Sequence, residues 1–98
     1  MNEREFITIA RELVATTANK QLAKKKNHKT LTAEDVTVIF YSASLMDSKI
    51  LASISATESI YEVVYNENKG EIHLSIYQQV QTASFRVRAD EKSKEVLQ

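Results

Sequence analysis

The stretch Val36-Thr37-Val38-Ile39-Phe40-Tyr41 decides the fold. It is an unbroken run of β-branched and aromatic side chains, which crowd a helical turn and sit well on a pleated surface. It predicts a strand from 36 to about 45. Val36, Val38 and Phe40 would line one face and Ile39, Tyr41 and Leu45 the other. Both faces are apolar, so the strand is expected to be central in its sheet. Just before it, Thr32-Ala33-Glu34-Asp35 has the spacing of a helix N-cap signal and reads as a single turn.

Upstream of that turn, residues 3 to about 26 repeat as an amphipathic helix. Phe6, Ile9, Ala10, Leu13, Val14, Ala18 and Leu22 recur at three- and four-residue spacing and gather on one stripe. Glu3 and Glu5 at the start and Lys24-Lys25-Lys26 at the end suit the helix dipole, and Asn27-His28 supplies a stop.

Downstream, Met46-Asp47-Ser48 reads as a turn and Lys49 to Ala56 alternates, with Ile50, Ala52 and Ile54 on one side. Thr57-Glu58-Ser59 turns again. Ile60 to Asn66 follows, with Ile60, Glu62 and Val64 on one face and Tyr61, Val63 and Tyr65 on the other. Glu67-Asn68-Lys69-Gly70 is a hairpin signal carrying the only glycine of the chain. Glu71 to Tyr77 then sets Ile72, Leu74 and Ile76 inward and His73, Ser75 and Tyr77 outward. Phe85-Arg86-Val87-Arg88 alternates as a short strand, a helical turn through Gln78–Ser84 is equally allowed, and residues 89–98 form a polar tail expected to fray.

The expected fold class is therefore α+β: a long N-terminal helix packed on one face of a four- or five-stranded antiparallel meander, within one domain over residues 1–88. One helix covers one face only. The other, expected to carry Tyr61, Val63, Tyr65 and Tyr77, calls for a cover: the C-terminal segment, a second copy or a partner.

Composition narrows the function. With 98 residues, 43% hydrophobic and 27% charged, the chain has globular proportions. No apolar run approaches the roughly 18 residues that span a bilayer, and the charged opening Met1-Asn2-Glu3-Arg4-Glu5 is unlike a secretory signal, so a cytoplasmic setting is expected. No cysteine is present, which removes disulfides and thiolate metal sites. His28 and His73 lack metal-site spacing, the serines lack a nucleophile elbow, and no glycine-rich phosphate cradle exists. Neither an enzyme nor a cofactor or metal is expected.

Charge is uneven although the net charge is zero. Residues 1–29 hold seven bases and three acids, whereas residues 30–81 hold two bases and seven acids. Two surfaces follow. Glu58, Glu62, Glu67 and Glu71 with Tyr61, Tyr65 and Tyr77 form a candidate acidic, tyrosine-bearing face for a basic protein partner, which is expected ahead of nucleic acid, with a homodimer also allowed. Lys20, Lys24, Lys25, Lys26 and Lys29 form an alternative nucleic-acid contact. An oligomer that sequesters a small ligand is a third possibility.

Two resemblances bear on this. The segment Lys29–Val36 after a lysine-ended helix is similar to the helix–loop–helix junction of histone-fold proteins, but that fold needs a helix where the β-branched run stands. The opening helix with Phe6-Ile7 and Ala10–Val14, the junction Thr32–Val36, and the stretch Ile60–Asn66 to Glu71–Leu74 together resemble a family of small uncharacterised proteins from phages and prophages of Gram-positive bacteria. The likeness spans roughly residues 3–80 and brings no catalytic or binding residue. It implies an inhibitor of a host defence system, such as a CRISPR nuclease, acting through an acidic surface.

Overall fold

A computed structural model describes residues 1–25, 29–78, 83–87 and 96–97. Helix α1 spans Glu3–Leu22. Asn2 caps it, its Oδ1 accepting from the Glu5 amide at 2.8 Å, while the Phe6 amide donates to the Asn2 carbonyl at 3.0 Å. The helix ends four residues earlier than the lysine run suggests. Leu22 is the last side chain buried against the sheet, and Ala23, Lys24 and Lys25 are exposed, so no packing sustains further turns. Lys26 and the expected stop at Asn27-His28 lie outside the described residues.

Asn19 secures the chain where it is next described. Its Oδ1 accepts from the Leu31 amide at 2.8 Å and its Nδ2 donates to the Leu31 carbonyl at 2.9 Å. The turn at Ala33–Asp35 is a single turn of 3-10 helix, as the sequence suggests. Asp35 closes it by accepting from the Thr32 amide at 2.8 Å. That hydrogen bond, with Lys29 3.6 Å away, holds the Asp35 carboxyl below its ordinary value of 3.8.

Four strands then run as an antiparallel meander in the order β1-β2-β3-β4: β1 Val36–Ala43, β2 Asp47–Ile54, β3 Ser59–Asn66 and β4 Glu71–Gln78. The chain is an α+β fold, with α1 on one sheet face. A separate two-stranded pair joins β5 Arg86–Val87, inside the stretch expected to be extended, to β6 Val96–Leu97 from the polar tail. The alternative helical turn over 78–84 falls largely on residues 79–82, outside the described residues, as do Val80 and Arg88.

Two expectations are corrected. β1 is an edge strand, not a central one. Its apolar residues on both sides arise from a bulge: Val38 pairs with Ala52 but Phe40 pairs with Leu51, so Ile39 is an extra residue. Val36, Val38 and Tyr41 therefore face the helix while Phe40 faces away. In β3, Tyr61, Val63 and Tyr65 are on the helix side, and Ile60, Glu62 and Val64 are on the open side. Tyr61 pairs with Ile76, Val63 with Leu74 and Tyr65 with Ile72, and paired residues share a face. The core gathers Phe6, Ala10, Val14, Ala18 and Leu22 of α1 over Val36, Ile50, Ala52, Ile54, Tyr61 and Val63. The Phe6 ring sits 6.4 Å from Tyr41 and 6.2 Å from Tyr65.

Candidate protein-binding face

The helix covers one sheet face, and among the described residues no second α-helix covers the other. Register places Phe40 beside Leu51, Leu51 beside Glu62, Ile60 beside Tyr77 and Val64 beside His73 on that face. Phe40 is 49% exposed and Tyr77 54%, near opposite edges of the sheet. Between them Glu62 holds two partners: Lys49 Nζ lies 3.1 Å from its Oε2, and Tyr77 donates to its Oε1 at 3.4 Å. Glu71 and His73 add a pair at 3.9 Å near the hairpin. The face is thus an apolar surface with a charged centre, built by four strands whose polar and apolar residues are interleaved.

The residues expected to form one acidic, tyrosine-bearing patch are divided. Tyr61 is 0% exposed and cannot touch a partner. Its hydroxyl donates to Gln21 Oε1 and lies 3.0 Å from Thr57 Oγ1, tying the end of α1 to the β2–β3 turn. Tyr65 is half-buried against Phe6 on the helix side. Glu62 and Tyr77 do meet on the open face, with Glu71 at its margin. Glu67 lies in the hairpin turn, where its amide donates to the Met46 carbonyl at 2.9 Å. Glu58 belongs to the other end: it and Glu67 bracket β3 and stand roughly 30 Å apart at about 3.3 Å per residue. Phe40, Lys49, Leu51 and Ile60 were not among the candidates. The bulge hid Phe40, and the expectation that Tyr61, Val63 and Tyr65 line the uncovered face hid Ile60.

The basic end is less isolated than its sequence suggests. Lys25 and Glu58 line one open groove of about 550 Å³ with Gln21, Thr57, Ser59 and Gln78. Lys20, Lys24 and Lys25 are exposed, Lys29 is 3.6 Å from Asp35, and Lys26 lies outside the described residues. Glu58 shares the groove with Lys25 and Asp35 stands beside Lys29, which weakens the field that a phosphate backbone would need. Among the described residues no cluster of three or more acids and histidines is placed to hold a metal ion, and no helix is long and apolar enough to cross a membrane.

Residues 7–87 match a family of unknown function, DUF6275. The chain belongs to that family. The match covers α1 from its second turn, the whole meander and β5. A search of the curated proteins finds no match, and neither does a search of the solved structures.

Proposed function

We propose that this is a non-enzymatic protein-binding module whose open sheet face docks on a host protein. The single observation that supports it is the placement of Phe40 and Tyr77, half-exposed aromatics held on a rigid sheet around the Lys49–Glu62 pair. Aromatic anchors on a rigid frame supply contact area at low entropic cost, and a charged pair between them sets orientation. The partner surface that fits has an apolar core and a basic group to meet Glu62 or Glu71. In the phage or prophage setting that the resemblance implies, the module acts as an inhibitor of a host defence protein, with a CRISPR nuclease as one candidate. Its mode is surface occlusion. Nucleic-acid mimicry is disfavoured, because duplex DNA carries about one charge per 1.7 Å and the acids here are few and spread.

Affinity capture with the immobilised chain from lysate of a Gram-positive host tests this. Phe40→Ala and Glu62→Lys should each weaken capture of the same protein roughly tenfold or more, the scale of an interface anchor. Lys24→Glu with Lys25→Glu should leave it unchanged. Capture that survives both face variants, or is lost with the lysines, overturns the proposal.

A further inference from the structure

The two edges of the sheet are not alike. At β1 the bulge at Ile39 breaks the ladder, and Arg11 reaches from α1 to donate to the Val36 carbonyl at 3.3 Å. A bent, partly capped edge resists pairing. β4 has neither device. Its eight residues pair with β3 without a break, it contains no Pro, Lys or Arg, and its one carboxylate, Glu71, stands at the first position. Among the described residues no strand pairs with its outer edge. The helix packs over β1, β2 and β3, so the helix-side row of β4 (Ile72, Leu74, Ile76) is only partly covered, and Ile76 is 40% exposed. Leu13, two residues from Arg11 and so on the flank of α1 opposite the one that reaches β1, is 37% exposed.

We infer that the protein forms a two-fold dimer by antiparallel pairing of β4 with the β4 of a second copy, in the register that sets Leu74 against Leu74. Directly paired residues share a face, so a sheet that keeps both helices on one side allows only registers matching helix-side with helix-side residues. Centring on Leu74 sets Ile72 against Ile76 of the partner subunit on both sides of the axis, making three apolar pairs in a row. On the open side it sets Glu71 against Tyr77 and His73 against Ser75, and no like charges meet. The neighbouring register centred on Ser75 sets Ile72 against Gln78, and that centred on His73 leaves Ile76 without a counterpart. The strand is thus self-complementary in one register. The product is an eight-stranded sheet with both helices on one face. The seam takes in Tyr77 and Glu71 at the margin of the open face but leaves Phe40, Lys49 and Glu62 outside it, so Phe40→Ala tests the face without touching the edge.

Sedimentation velocity on the full chain should show mass rising towards twice the monomer with concentration. The sequence has no cysteine, so Leu74→Cys places one thiol beside its own copy. Cross-strand Cα separations of about 4.5–5.5 Å lie within disulfide range, and mild oxidation should yield a covalent dimer. Thr37→Cys on β1 should yield none. Ile76→Lys should abolish the dimer while circular dichroism stays unchanged. A monomer mass for the wild type at every concentration overturns the inference. So does a dimer that Ile76→Lys leaves intact, or a folded Leu74→Cys that does not cross-link. Phe40→Ala should keep the dimer, which separates this test from that of partner capture.

Discussion

Replacing Tyr61 by Phe removes one oxygen from the interior and leaves the ring in place. Tyr61 has a single hydroxyl proton, and it goes to Gln21 Oε1, so the 3.0 Å contact with Thr57 is Thr57's donation. In the variant, Gln21 loses its donor, whereas Thr57 turns to the Ile54 carbonyl 3.4 Å away. One hydrogen bond is lost and one is replaced by a weaker one. At about 1 kcal/mol net per bond the cost is about 1–2 kcal/mol, and for a domain of this size that lowers Tm by roughly 5–15 °C. Urea melts should show the midpoint falling with the slope unchanged. A double-mutant cycle with Gln21→Ala should give a coupling of about 1 kcal/mol. A Tyr61→Phe protein as stable as the wild type, or zero coupling with Gln21, refutes the network. Weaker partner capture at unchanged stability would return Tyr61 to the surface and refute its burial too.

Asn19→Ala should cost about 2–3 kcal/mol, because it strips both partners from the Leu31 backbone; Asn19→Asp keeps only the acceptor, so it should fall between, and hydrogen exchange at the Leu31 amide should speed up in the same order. Asp35, held down by the Thr32 amide, binds its proton less readily folded than unfolded. Its contribution to stability is therefore present above the ordinary value of 3.8 and is lost as pH falls through the lower folded value. Asp35→Asn should flatten that acid limb in denaturant melts taken across it, and an unchanged limb refutes the assignment. Gly70 has φ +63° and open space around a would-be Cβ, so Gly70→Ala should cost about 1–2 kcal/mol for conformation alone, and Gly70→Asn less.

Much of the fold is legible because its signals are local. The helix stripe, the alternation of β2 and β4 and the Glu67–Gly70 turn each carry their own period or turn chemistry. The two errors fall where a strand is apolar on both sides and period alone is silent. For β3 the answer was within reach: a four-residue turn joining Asn66 to Glu71 sets Tyr65 against Ile72 and Tyr61 against Ile76, so inward isoleucines on β4 require inward tyrosines on β3. For β1 no such deduction exists, since an extra residue such as Ile39 is dictated by what pairs with the strand. The candidate face inherited both errors. Glu62, Glu71 and Tyr77 survive on or beside the open face, while Phe40 enters it and Tyr61 leaves for the core.

The bulge at Ile39 also limits how many molecules the sheet can join. Deleting Ile39 would leave every other β1 residue on its present face, because the ladder is regular on both sides of it. Its effect is felt at the margin. A sheet with one irregular and one regular margin has a valence of one, so growth by strand addition closes at a pair. Without Ile39 only the Arg11 hydrogen bond to the Val36 carbonyl would guard that margin, and the same physics that makes a finite assembly would favour a fibre.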